Sequence, residues 1–210
     1  KAIKFNKVRT IRKKDVVFPA SNRRMISLWY KPTAGDFAKQ WSILSTTRGS
    51  GYGANFGMHL AMNKDTATSK KWLYYRVIGT NDAGAESSVE GYSNGSGPDK
   101  VSFEFVQDQW HHICIFYDYN WTTKTPTVNQ YPIEVYVNKQ RIFYAGVVPN
   151  VTQAFTRTYS VGDMPTLTAV STNATEGVID ESIWENGDRV WTIAQMNAYY
   201  DAVMSADYLD

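Results

Sequence analysis

The chain has 210 residues with 22 basic and 20 acidic side chains, and its formal net charge of +2 excludes a strong overall field for gathering nucleic acid or an anionic membrane. A β protein of this length can bury its own core, so we predict a single domain, residues 1–210. The one cysteine, Cys114, excludes an internal disulfide, and no apolar stretch is long enough to predict a membrane span.

Basic residues cluster at the amino terminus, within residues 1–14. They are Lys1, Lys4, Lys7, Arg9, Arg12, Lys13 and Lys14. Such a cluster is typical of a solvated first edge strand or of a basic arm that tethers the domain to a protein assembly partner. We favour these two interpretations over a nucleic-acid-binding arm, because the net charge of the whole chain is small.

Strand-like segments recur along the chain, and their apolar residues tend to alternate, which is the period of a sheet with one buried face. The predicted strands cover residues 25–31, 41–45, 57–62, 71–78, 101–105, 110–119, 133–137, 141–145, 156–161 and 177–184. The polar stretch 79–100 contains Asn94-Gly95 and Gly97-Pro98, and it predicts an extended loop. The three residues 138–140 predict a tight hairpin in which Asn138 takes a positive φ.

The pattern changes to helical spacing near the carboxyl end. Thr192 and Gln195 have the spacing of a capping box, and Trp191 and Met196 have that of a hydrophobic staple. The apolar face of this predicted helix consists of Ile193, Met196, Tyr200 and Val203. Many strands and one short C-terminal helix predict an all-β fold, a two-sheet antiparallel jelly-roll sandwich.

Four segments resemble the concanavalin A-like lectin/glucanase superfamily, especially its laminin-G-like branch, in the same order across about 170 residues. They are MISLWYKP at 25–32, DQWHHICIFYD at 108–118, IEVYVN at 133–138, and GVIDESIW at 177–184 followed by WTIAQM at 191–196. Two features depart from the family pattern. Lys139 stands where the hairpin usually has glycine, and the stretch 79–100 is longer than is typical.

The resemblance implies a non-catalytic, carbohydrate-binding, lectin-like module at an extracellular or virion surface, as a fibre, spike or capsid decoration. Its partner would be a glycan or surface polysaccharide. The alternative is a purely structural protein that decorates or cements a viral or other assembly, with a homo-oligomer as one form. Fold analogy alone does not choose between these functions.

A glycan hydrolase or lyase is the less favoured function. Retaining glycosidases of this superfamily place carboxylates on alternate residues of one strand, about 5 Å apart. The nearest candidates here are Asp180, Glu181 and Glu185, whose spacing puts neighbours on opposite faces unless a bulge intervenes. His111 and His112 also diverge on a strand, and we interpret them as structural residues of a packed strand.

Asp180 has a second role by resemblance, because relatives often bind a structural Ca²⁺ with an acid in this closing strand. A hard cation needs several oxygen ligands, and no cluster of acids surrounds Asp180 in the sequence. An ordinary hydrogen-bonding acid is therefore the favoured alternative.

Three loops combine aromatic rings with hydrogen-bonding groups, which suits the apolar faces and hydroxyl rims of sugars. Packing of these rings against their own loops is the alternative, and it weighs most for the two isolated tyrosines. The predicted ligand-binding residues are Tyr52 and Asn55 in the first loop, Asp82 and Tyr92 in the second, and Tyr119, Asn120 and Trp121 in the third.

Overall fold

Two antiparallel six-stranded sheets form the fold in the computed structural model, which describes residues 3–4, 11–36, 41–46, 57–64, 70–95, 101–146, 148–162 and 175–206. The strands are Ile3–Lys4 (β1), Ile11–Phe18 (β2), Arg23–Lys31 (β3), Trp41–Ser45 (β4), Gly57–Lys64 (β5), Lys71–Thr80 (β6), Glu86–Tyr92 (β7), His111–Asp118 (β8), Ile133–Val137 (β9), Gln140–Ala145 (β10), Phe155–Val161 (β11) and Val178–Asn186 (β12). The first sheet has the order β1-β12-β3-β8-β9-β10, and the second has β2-β11-β4-β5-β6-β7. The predicted two-sheet antiparallel sandwich is confirmed.

The main hydrophobic core lies between the sheets, and strand β8 shows how alternation builds it. Ile113, Ile115 and Tyr117 belong to the core between the sheets, whereas Cys114 and Phe116 belong to a second, smaller cluster. All eight residues of β8 are buried, because both of its faces are covered. The histidines His111 and His112 therefore lie in a packed strand, as predicted.

Helix α1, Ile193–Ser205, covers the outer face of the first sheet and completes the smaller cluster. Its predicted capping box is confirmed. The Gln195 N–H donates to Thr192 Oγ1 at 3.2 Å, and the Thr192 N–H donates to Gln195 Oε1 at 2.8 Å. Met196 is buried against Cys114, so the thiol is sealed from solvent, and this burial raises its pKa well above the usual value.

The stretch 79–100 corrects the prediction of one extended loop. Strand β6 continues to Thr80, a turn follows, and β7 then returns antiparallel to β6. The sequence of β7 is polar because this strand ends the described sheet, with exposed residues alternating with half-buried ones, among which Val89 packs against the core. The prediction of a strand at 101–105 was also wrong, since this segment makes isolated bridges only.

The hairpin between β9 and β10 has the predicted positive φ at Asn138, which is 49°. Lys139 also adopts a positive φ, 69°, so both turn residues are left-handed, as in the type I′ turn that suits the twist of a hairpin. Lys139 thus holds a left-handed conformation that glycine adopts at lower steric cost.

The described parts of residues 1–14 lie in strands at the margins of the two sheets. Residues 3–4 form β1, which pairs with β12, and residues 11–14 begin β2, which pairs with β11. Within the described residues, no helix combines the length and apolar character required to cross a membrane.

Candidate functional site

A cavity of about 330 Å³ opens where the turn between β6 and β7 meets the connection from β8 to β9. The structure brings three of the predicted ligand-binding residues to its wall, namely Asp82, Tyr119 and Trp121. Lys124 and the hydroxyl-bearing start of β7 complete the polar part, while Val89 and Pro149 add aliphatic surface. We refer to it as the Trp121 cavity.

An aromatic pair forms one wall of the Trp121 cavity. Tyr119 directly follows β8 and is buried, and its backbone N–H donates to the carbonyl of Asn22 at 2.8 Å. The ring of Trp121 meets the ring of Tyr119 edge-on, with centroids 5.5 Å apart and planes at 70°. Because Trp121 also packs against the main core, its indole is held in place before any ligand arrives.

Lys124 links the two sides of the cavity. Its Nζ lies 3.3 Å from the centroid of the Trp121 ring and 2.7 Å from Asp82 Oδ1. The Lys124 and Asp82 side chains are 45% and 80% exposed, so the pair adds little stability but remains accessible to a ligand. The ammonium occupies one face of the indole, so a ligand meets the rest of the ring or displaces Lys124.

Asparagine side chains shape both loops of the cavity. Asn120 Oδ1 accepts the N–H of Thr122 at 3.0 Å, and the Asn120 carbonyl accepts the N–H of Lys124 at 2.8 Å. Asn81 Oδ1 accepts the N–H groups of two residues in its own turn, at 3.0 Å each. The bonds from each asparagine side chain to the N–H two residues further on are Asx turns. Asn120, predicted as a ligand-binding residue, thus orders the loop that carries Trp121 and Lys124.

A buried carboxylate at the end of β8 holds the next part of the same connection. Asp118 accepts the backbone N–H groups of Thr127 at 3.0 Å, Val128 at 2.6 Å and Asn129 at 2.5 Å, together with the hydroxyl of Thr127. Asp118 is fully buried, and four donors replace the water that its carboxylate loses. The connection is therefore fixed at residues 127–129.

Tyr92 lies away from the Trp121 cavity. It is the last residue of β7 and pairs with Tyr74, whereas the turn of Asp82 precedes the first residue of β7. Tyr92 is six positions beyond Glu86 along the strand, a span of roughly 20 Å. The Tyr92 ring is 41% exposed and packs on Tyr74, 5.2 Å between centroids. The other predicted residues, Tyr52 and Asn55, lie outside the described residues.

Sequence reasoning missed Lys124 and the contribution of β7. Lys124 follows Trp121 by three residues in the same loop, which is the one signal that pointed to it. The serines at the start of β7 were hidden because that segment was interpreted as a loop.

A β-bulge occurs in β12 at the carboxylates considered for catalysis. The register with β3 shifts between Asp180 and Ile183, and Glu181 has a φ of 45°. The Glu181 carboxylate accepts the hydroxyl of Tyr199, and Glu185 Oε2 lies 3.1 Å from Arg189 Nε. Burial, the Glu181 hydrogen bond and the nearby acidic charges raise the pKa of Tyr199. The carboxylates are thus engaged by structural partners.

Asp180 itself is buried, and its Oδ1 accepts the N–H of Glu181 at 2.9 Å. Within the described ranges, no group of three or more His, Cys, Asp or Glu residues is arranged to hold a metal. A calcium ion needs six to eight oxygens, so at Asp180 most of them would have to come from backbone carbonyls and water. Calcium binding there stays a prediction.

The two histidines of β8, His111 and His112, are both buried. His112 Nε2 lies 2.8 Å from Ser27 Oγ, and burial lowers the pKa of His112 to about 4. Burial also lowers the pKa of His111. Both imidazoles are therefore neutral at physiological pH.

Comparison of the sequence finds no protein-family model and no curated protein that matches it. The fold matches domain 4 of AbnA, a GH43 extracellular arabinanase from Geobacillus stearothermophilus, in complex with arabinotriose. The TM-score is 0.53 at 18% identity, covering 94% of this chain and 75% of that one. It also matches the CBM40 of the Ruminococcus gnavus IT-sialidase bound to α2,6 sialyllactose, with a TM-score of 0.50 at 10% identity, covering 90% and 97%.

Domains LG4-5 of the mouse laminin α1 chain give a lower TM-score of 0.49 at 15% identity, covering 88% of this chain and 42% of that one. At these identities the likeness to the arabinanase domain and to CBM40 establishes a common β-sandwich fold. The function has to be argued from the site.

Proposed function

We propose that this chain is a non-catalytic, lectin-like domain that binds a glycan in the Trp121 cavity. The observation that carries the proposal is the convergence of Asp82, Lys124 and an aromatic pair on one cavity. Two solved structures of similar fold, described above, hold arabinotriose and α2,6 sialyllactose, and they support the choice of a sugar as ligand.

The chemistry of the cavity suits a sugar. Sugar hydroxyls both donate and accept, so they can bind the Asp82 carboxylate and the Lys124 ammonium. The C–H face of the ring can pack on the exposed part of Trp121 and on Pro149. The volume of about 330 Å³ suits one or two sugar residues rather than a long chain segment.

The charges favour binding over hydrolysis. Among the described residues that line the cavity, Asp82 is the one carboxylate, whereas glycoside hydrolysis requires a pair.

For the setting of the domain, we propose the extracellular or virion surface, as a fibre, spike or capsid decoration. The extracellular description of the arabinanase supports the first of these settings.

A glycan array followed by titration calorimetry tests the proposal, with arabino-oligosaccharides and α2,6 sialyllactose among the ligands. We expect Trp121→Ala to weaken the affinity for the glycan that binds by about tenfold or more. Trp110→Ala is the matched control, because Trp110 is also half-buried but does not line the cavity. Its ring also carries a lysine, with Lys31 Nζ 4.9 Å from the ring centroid.

Absence of binding to every glycan would reject the proposal and favour the structural, cementing alternative. Equal loss in the Trp121 and Trp110 variants would also reject the cavity as the binding site. Release of reducing ends from a bound polysaccharide would reject the non-catalytic part.

A further inference from the structure

A second cavity of about 350 Å³ lies further along the same β8–β9 connection. Residues 128–130 meet strands β9 and β10 there, next to the first turn of α1. We refer to it as the Glu134 cavity. The Trp121 cavity uses none of the residues that line it.

The charged groups of the Glu134 cavity balance each other. Glu134 is 1% exposed, and its Oε1 lies 3.3 Å from Arg141 Nη1. Its Oε2 accepts the hydroxyl of Tyr136 at 3.1 Å. Because the carboxylate and the guanidinium neutralise each other, a ligand with a net charge gains no unpaired counter-ion here. The cavity is therefore matched to a neutral, hydrogen-bonding ligand.

Arg141 is held rigidly in this arrangement. Its guanidinium carbon lies 5.0 Å from the ring centroids of both Tyr131 and Tyr144, and these rings stack at 3.8 Å. Arg141 Nη1 also donates to Gln130 Oε1 at 2.8 Å. A ligand that contacts the guanidinium meets a donor that is already oriented, so binding costs less side-chain entropy.

One donor in the wall has no partner. The side-chain Nδ2 of Asn129 is buried and makes no hydrogen bond with any described residue. An unsatisfied buried donor is unfavourable, and a rotation of the Asn129 side chain towards the cavity would let a ligand oxygen accept from it and recover the lost hydrogen bond. The apolar part of the wall comes from Val128, Ile193 and Ala194, which suits the C–H face of a sugar ring.

We propose that the Glu134 cavity is a second binding site, which takes a single neutral sugar residue. It extends the proposed function, on which its ligand class rests, by a site independent of Trp121. Hydroxyls of the sugar accept from Arg141 and, once its side chain turns towards the cavity, from Asn129 Nδ2, and they donate to Gln130 Oε1.

Amide-resolved ¹H–¹⁵N NMR titration with the methyl glycosides of glucose, galactose, mannose and arabinose tests this proposal. We expect shifts of the Asn129 and Gln130 side-chain amides and of the Ala194 backbone amide, with a dissociation constant of about 1 mM or weaker. Ala194→Leu should fill the cavity and abolish these shifts. Ala198→Leu is the matched control, because Ala198 is exposed on the same helix but does not line the cavity, and it should leave them unchanged.

Absence of shifts with every glycoside would overturn the second site, as would shifts that persist in Ala194→Leu. A response to sulfate in place of the glycosides would overturn the neutral-sugar assignment. Shifts of the Trp121 indole N–H report the first cavity separately. Failure of one site is therefore distinguishable from failure of the other.

Discussion

Asp118 accepts the backbone N–H of Asn129 at 2.5 Å, and this bond fixes the connection at the point between the two cavities. Lys124 and Trp121 precede it in the chain and line the first cavity, while residues 128–130 line the second. The buried carboxylate of Asp118 therefore supports both candidate sites.

We expect Asp118→Asn to lower the free energy of unfolding by about 2–4 kcal/mol, because an amide oxygen replaces a charged acceptor and the amide N–H₂ faces other donors. Chemical denaturation measures this loss. Asp108→Asn is the control, since Asp108 is exposed and asparagine tolerates its positive φ of 60°. An equal effect of the two substitutions would contradict the role given to Asp118.

We expect Lys124→Gln to weaken glycan binding and to leave the stability of the fold nearly unchanged. The exposed Lys124–Asp82 pair contributes about 1 kcal/mol or less, so the melting temperature should change little. Glycan affinity should fall several-fold, since a charged donor of the cavity is lost. Lys139→Gln is the matched control, because Lys139 has the same two kinds of partner as Lys124. Its Nζ lies 2.8 Å from Asp201 Oδ1 and over the Tyr200 ring. A fall in affinity with Lys139→Gln of the same size would argue against a specific role for Lys124.

The buried histidines should make the domain sensitive to acid. Burial lowers the pKa of His112 to about 4, and burial together with the charge of Arg76 lowers the pKa of His59 to about 4. Unfolded histidines titrate near 6.5, so between about pH 6.5 and pH 4 the unfolded state binds protons that the folded state excludes. The stability due to these groups is complete above pH 6.5 and falls as the pH drops, by up to about 3 kcal/mol for each histidine.

Urea denaturation across that pH range measures this loss. We expect His112→Gln to reduce the slope of the unfolding free energy against pH by the equivalent of about one proton. We expect the same reduction for His59→Gln. An NMR titration that finds His112 protonating near pH 6.5 in the folded state would refute the prediction.

Arg24 is fully buried and is held by neutral acceptors. Its guanidinium donates to the carbonyls of Val151 at 2.8 Å, Pro19 at 2.8 Å and Gln153 at 3.0 Å, and to Asn186 Oδ1 at 2.7 Å. Burial lowers the pKa of Arg24 to about 10. A lysine cannot reproduce this planar fork, so Arg24→Lys should cost about 3–5 kcal/mol of unfolding free energy.

Thermal unfolding with Arg23→Lys as the neighbouring control checks this value. Arg23 is half-buried and makes one longer bond to the Val190 carbonyl, at 3.4 Å, so its substitution should cost about 1 kcal/mol or less. A small effect of Arg24→Lys would mean that water or a shifted lysine replaces the guanidinium.

The sequence predicted the sandwich because its central strands alternate clearly and because Thr192 and Gln195 carry a local start signal for the helix. It failed at β7, where an edge strand needs few apolar residues and only Val89 packs against the core. The sequence did predict the two aromatic residues of the candidate site, Tyr119 and Trp121, because they lie close together in one loop.

The rest of the site depends on contacts between distant segments. Lys124 and Asp82 are 42 residues apart, and no local pattern announces their pairing. The burial of Arg24 and Asp118 was equally invisible, since charged residues are usually exposed and their partners here are mostly backbone groups.

The sealed thiol of Cys114 has a practical consequence for anyone who studies this domain. Being fully buried beneath α1, with a raised pKa, it will not compete for a maleimide dye in the native protein. A cysteine introduced at exposed Ala198 can therefore be labelled selectively without first replacing Cys114, which gives direct access to single-molecule and fluorescence experiments on the unaltered core.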